Sequence, residues 1–163
     1  MTAKSSQLQI RVTPRQKAAL KHRAALAGMD LSAFVLARAL PDEAARFADL
    51  LRAIADEPGA RFALAELNEF LEAAPAAAFG DAVATADLSR LTPRHANYVA
   101  AMVELAAHRK RVTPPAWTAD VAPLDEPWFA TTLKSLRPHL LAAAPVPFKR
   151  RNIFVESSLG DRV

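Results

Sequence analysis

Residues 7–12, Gln7-Leu8-Gln9-Ile10-Arg11-Val12, alternate polar and apolar side chains. The polar face offers amide donors and acceptors and one guanidinium fork, groups that recognise a partner through hydrogen bonds. No stretch assembles catalytic chemistry. His22, His95, His108 and His139 lack a metal-ligand spacing such as H-E-x-x-H. Glu66, Glu69 and Glu72 follow one another at intervals of three, the pattern of a solvated helix edge. Four glycines without a cluster make no phosphate-cradling loop, and Ser157-Ser158 have no evident base. The expectation is a protein that is not an enzyme and carries neither metal nor cofactor.

The alternation is that of a half-buried strand. Thr13 then suits an N-cap and Pro14 the first helical position, and Gly28 suits the C-cap. Met29-Asp30 make a turn. Asp30 or Ser32 can cap a second helix through Phe34, Val35 and Ala39, which stops before Pro41. Residues 7–40 therefore read strand, helix, turn, helix.

A strand needs a partner for its backbone groups. Nothing else near the front supplies one, and "NIFV" at 152–155 lies far along the chain. A second copy of the same strand would complete an antiparallel ribbon about a twofold axis. Leu8, Ile10 and Val12 would face the helices, and Gln7, Gln9 and Arg11 would face out.

Charge is segregated around this segment. Residues 1–40 carry seven Lys/Arg and one acid, residues 42–87 ten acids against three Arg, and residues 90–111 return to net +4. A basic head beside an acidic stretch suggests a polyanionic partner at the front.

The segment "LQIRVTPRQKAALKHRAALAGMDLSAFVLARAL" resembles the ribbon-helix-helix family of DNA-binding proteins, and most of all its short bacterial antitoxins. The resemblance covers residues 6–40. It implies an intertwined homodimer whose ribbon lies in the DNA major groove. By position, Gln7, Gln9 and Arg11 become the base readers, in keeping with bidentate Gln–adenine and Arg–guanine pairs. The N-terminus of the second helix, at Ser32 and Ala33, is expected to meet a phosphate. Lys4, Thr13, Arg15 and Lys17 are expected to add contacts to the DNA backbone.

Beyond Pro41 the chain reads as mainly helical. Segments 42–56 and 63–74, an Ala-rich 76–87, and a helix begun by Thr92-Pro93 and ending near Arg111 are expected. Val99, Met102, Val103 and Ala106 mark one face of the last. Residues 113–127, with four prolines, favour extended or turn structure. A short helix is expected from Pro127, carrying Trp128, Phe129, Leu133 and Leu136, with Pro138 kinking or restarting it. The end of the chain reads as a Pro-rich extended tail.

The fold class is thus mainly α: a dimeric ribbon-helix-helix domain over 1–41 and a helical partner-binding region over 42–163. In antitoxins such a region neutralises a toxin, often by wrapping it. Trp117, Trp128, Phe129, Phe148, Lys149, Arg150, Arg151 and Phe154 are the candidate partner contacts. The alternative is that the rings pack on the chain's own helices 42–111. The stretch is similar to the ends of small bacterial proteins with nucleotidyltransferase-like toxin partners.

The expected function is that of an antitoxin binding operator DNA as a homodimer, repressing its own synthesis and neutralising a protein toxin. The alternative is a ribbon-helix-helix transcriptional regulator whose C-terminal domain oligomerises or senses a ligand. The start of the chain lacks the apolar core of a signal peptide, and no apolar run reaches the roughly 20 residues of a membrane span. A cytoplasmic protein without a membrane partner is expected.

Overall fold

Thr13 and Pro14 start helix α1 (Pro14–Leu26) as the local chemistry requires. In the computed structural model, which describes residues 9–39, 42–56 and 59–156, the Thr13 hydroxyl accepts from the Gln16 amide. The Gln16 side chain returns a contact to the Thr13 amide, closing a capping box. After Ala27 the chain turns at Gly28, whose φ of 65° is the left-handed conformation glycine adopts without steric cost. Helix α2 (Leu31–Ala39) follows. Its cap is Asp30, whose Oδ1 accepts from the Ala33 amide at 2.9 Å; Ser32 lies inside the first turn.

The expected strand is not formed among residues 9–12, which have no regular secondary structure and are exposed. A ladder needs a second set of N–H and C=O groups, and the described residues offer none there. Gln7 and Leu8 lie outside the described residues. Ile10 and Val12, expected to face the helices, are 60% and 42% exposed.

The chain divides into two compact units, one ending at Asp42 and the other starting at Glu43. In the second, α3 (Glu43–Ala55) buries Phe47, Leu50, Leu51 and Ile54, spaced i, i+3, i+4 and i+7. Helix α4 (Ala60–Ala73) packs against it through Ala63, Leu67, Phe70 and Leu71, with Phe47 stacked on Phe70 at 6.0 Å between ring centroids. Pro75 ends α4 and caps α5 (Ala76–Ala82). The Ala-rich stretch is helical only that far. Residues 84–92 form turns, with Asp87 accepting from Ser89.

Helix α6 (Pro93–Lys110) is capped by Thr92, whose hydroxyl accepts from His95. It buries more than one face: Ala100, Ala101 and Ala107 are enclosed along with Val99, Met102, Val103 and Ala106. It is the central helix of the second unit.

The end of the chain is not an extended tail. Helix α7 (Trp117–Asp120) leads to strand β1 (Trp128–Phe129), where a helix was expected. Strand β1 pairs in parallel with β2 (Ile153–Phe154), placing Trp128 opposite Ile153 and Phe129 opposite Phe154. Trp and Phe favour strands over helices, and the ladder bond from Trp128 N–H to Asn152 O, 2.8 Å, settles the choice. A 3-10 turn (Lys134–Leu136) leads into α8 (Arg137–Ala143), which Pro138 starts from its first turn. Helix α9 (Val146–Lys149) delivers the chain to β2.

Candidate nucleic-acid interface

The first unit buries only Ala24 and Phe34 among its described apolar side chains. Ile10, Val12, Leu26, Met29 and Leu36 remain in water. Between α1 and α2 lies an open groove of about 810 Å³ lined by Leu20, Leu26, Phe34 and Val35 among others. Exposed apolar surface of this extent on so small a unit is the mark of an interaction site.

The polar side of the same unit is basic. Arg11, Arg15, Lys17, Lys21, Arg23 and Arg38 are all exposed, against two acids, Asp30, which caps α2, and Asp42 at the end of the unit. Lys17 and Lys21 stand one helical turn apart, a like-charge pair that an isolated helix disfavours and a polyanion relieves.

Gln9 and Arg11 are exposed just before the α1 cap. Gln7 and Lys4 lie outside the described residues. The Thr13 hydroxyl is committed to the cap of α1, and the Ala33 amide to Asp30, while Ser32 is exposed in the first turn of α2. Arg15 and Lys17 point into solvent. Sequence reasoning passed over Gln16; the T-x-x-Q spacing was its signal.

The candidate partner contacts of the second unit are placed differently. Phe148, Arg151 and Phe154 are buried. Trp117 donates to Val83 O at 2.8 Å and lies against Phe47. Trp128 meets Tyr98 edge-on with Arg94 over its face, and Phe129 stacks on Phe154 at 4.9 Å. Lys149 donates to Ala142 O, and Arg150 is exposed. The alternative weighed in the sequence, rings packed on the chain's own helices, describes Trp117, Trp128 and Phe148.

Arg151 was expected at a partner surface. It donates instead through Nη2 to Glu104 Oε1 at 2.5 Å and to Thr118 O at 2.6 Å, and through Nη1 to Val121 O at 3.2 Å. A buried cation needs this compensation.

Among the described residues no helix is long and apolar enough to cross a membrane, and no cluster of three His, Cys, Asp or Glu could hold a metal ion.

The model of the NikA-like family, described as Mobilization protein NikA, matches residues 2–57. It is a ribbon-helix-helix family, and the match supports a ribbon-helix-helix N-terminal segment that binds DNA and dimerises. No curated protein and no solved structure matches the chain.

Proposed function

We propose that the first unit dimerises through residues 7–12 and reads a specific duplex site with Gln7, Gln9 and Arg11. The observation that carries this is a basic unit with little buried apolar core and an exposed segment of alternating polar and apolar residues at Gln9–Val12. Pairing that segment with its copy covers Ile10 and Val12 and doubles the outward polar side chains about the twofold. A two-stranded ribbon of this kind fits the major groove.

The test is selection of duplex fragments from the DNA around the chain's own gene, followed by binding measurements on variants. Arg11→Ala is expected to cost about 1–3 kcal/mol per half-site and to relax specificity. Lys17→Ala is expected to weaken all sequences alike and to lower the salt slope by about one per site. An unchanged specificity ratio for Arg11→Ala rejects the groove assignment.

Two roles in the cell, both cytoplasmic and neither enzymatic, fit such a DNA-binding dimer. The name of the matching family model, a mobilization protein, favours a part in the mobilization of DNA. The resemblance of residues 6–40 to short antitoxins favours an autorepressing antitoxin with a nucleotidyltransferase-like toxin. Expressing the neighbouring small reading frame alone separates them: toxicity relieved by this chain supports the antitoxin. Transfer of the surrounding DNA that falls when the chain is removed supports mobilization.

A further inference from the structure

The second unit holds a cavity of about 280 Å³ between α4, α6 and α9. Well-packed interiors contain few voids larger than one water. This one approaches the lower end of small-molecule sites, roughly 300 Å³ and upward, and has nearly twice the roughly 150 Å³ that takes a benzene ring.

Its walls are mainly apolar: Leu71, Met102 and Phe148 are buried side chains with one surface on the void. Two polar residues also line it, Tyr98 and Asn68, whose side chains can hydrogen-bond a ligand. Burial pushes the Tyr98 phenol up to about 12, so it is a neutral donor throughout the physiological range.

The mouth is cationic. Arg109 and Lys110 line it with Glu72 as the one acid. Arg109 Nη1 meets Glu72 Oε1 at 3.2 Å, with both side chains substantially exposed. Lys110 uses its ammonium on a backbone carbonyl, Glu72 O, at 2.8 Å, which neutralises no charge. Among the lining residues, two cations stand against one carboxylate, a net charge of about +1 beside an apolar void.

We propose that this cavity binds a small apolar monocarboxylate. Its hydrocarbon body lies on Leu71, Met102 and Phe148, and its carboxylate meets Lys110 and Arg109 at the mouth. Tyr98 and Asn68 orient the body or accept a second polar substituent. The charge complementarity selects the acid over a neutral molecule of the same shape. The site is independent of the DNA-binding reading, since every lining residue belongs to the second unit.

The test is calorimetric titration of the full chain with phenylpropionate, cyclohexylacetate and octanoate, each beside its neutral amide. At least one acid is expected to saturate a single site and to bind about tenfold or more tighter than its amide, the effect of one charge-assisted hydrogen bond. Lys110→Gln is expected to remove most of that preference while leaving the amide's affinity unchanged. Ala106→Leu, which pushes a larger side chain into the void, is expected to abolish binding of both at unchanged circular dichroism. If Ala106→Leu does not fold, the acid–amide comparison in wild type and Lys110→Gln decides alone. Absence of saturable binding by all three acids overturns the proposal. So does equal binding of acid and amide, or an Ala106→Leu protein that folds and binds like wild type.

Discussion

Ile10→Ala measures how much a second copy contributes to the first unit. Ile10 is 60% exposed in the single chain. Full burial of such a side chain is worth about 1.5–3 kcal/mol, so covering the exposed part contributes about 1–2 kcal/mol per copy. The twofold doubles this to about 2–4 kcal/mol per dimer. Alanine retains only the Cβ, so most of that is lost. At about 1.4 kcal/mol per factor of ten, the dimer dissociation constant is expected to rise between about tenfold and several hundredfold. Sedimentation equilibrium on the full chain, from nanomolar to high micromolar concentration, reads this directly. Leu141→Ala, an exposed position on α8, is the control and is expected to leave the constant unchanged. Ile10→Pro also removes a ladder donor, so it is expected to abolish both dimer and DNA binding. A wild-type monomer at micromolar concentration refutes the reasoning. So does an Ile10→Ala dimer with the wild-type constant, because association would then run through other residues.

Phe148→Ala deletes a buried ring and is expected to destabilise the second unit by about 3–5 kcal/mol, read as a lowered melting temperature of the free protein. Loss of a partner's affinity at unchanged melting temperature would contradict its core placement. Arg151→Ala strands the buried Glu104 carboxylate and is expected to cost about 3–5 kcal/mol by denaturant titration; a loss under about 1 kcal/mol refutes the pairing. Tyr98 is the one tyrosine of the chain, so phenolate absorbance follows it alone, with a folded midpoint expected near 12 rather than 10. Because the folded pKa is raised, the stabilisation is complete below pH 10 and is lost as pH rises from 10 toward 12. Tyr98→Phe is expected to lack that component of the alkaline loss, and a wild-type midpoint at 10 refutes the burial.

What was legible in the sequence was local. Both Thr-Pro starts are capped helices, because a hydroxyl three residues before an amide closes the cap whatever lies elsewhere in the chain. The stripe Phe47, Leu50, Leu51, Ile54 lies in one compact segment for the same reason, since its period is set within two turns. Non-local choices were hidden. Trp128-Phe129 follow a proline that could open a helix, and only the arrival of Ile153-Phe154 alongside makes them a strand. In α6 the alanines at 100, 101 and 107 are small enough for close packing but too weakly apolar to reveal burial around most of the helix. Arg151 stands in a run of three bases that reads as a solvated end. Its acid, Glu104, is 47 residues away, a separation that no spacing rule reports. The alternation of residues 7–12 was legible, yet no strand is formed among residues 9–12, because a ladder needs a second set of N–H and C=O groups beside it.

The two units differ in how much apolar surface they bury by themselves. The first has two buried apolar side chains among its described residues and leaves Ile10 and Val12 exposed, so those residues enclose little core of their own. The second encloses Phe47, Phe70, Phe79 and Phe148 by itself, joins its end to its middle through Arg151 and Glu104, and needs no partner to bury them. A segment that wraps a toxin by ordering on contact must leave its anchors unsatisfied beforehand. Here Phe148 and Phe154 are buried and Trp117 already makes its hydrogen bond within the chain. Protein binding by this unit, under either the antitoxin or the mobilization reading, consequently falls to side chains it leaves outside. Arg150 beside the α9 end and Leu133, Leu136, Leu141 and Val146 around α8 are such groups. Contacts of that kind add affinity to a fold that already exists, so its stability without a partner is set by its own core.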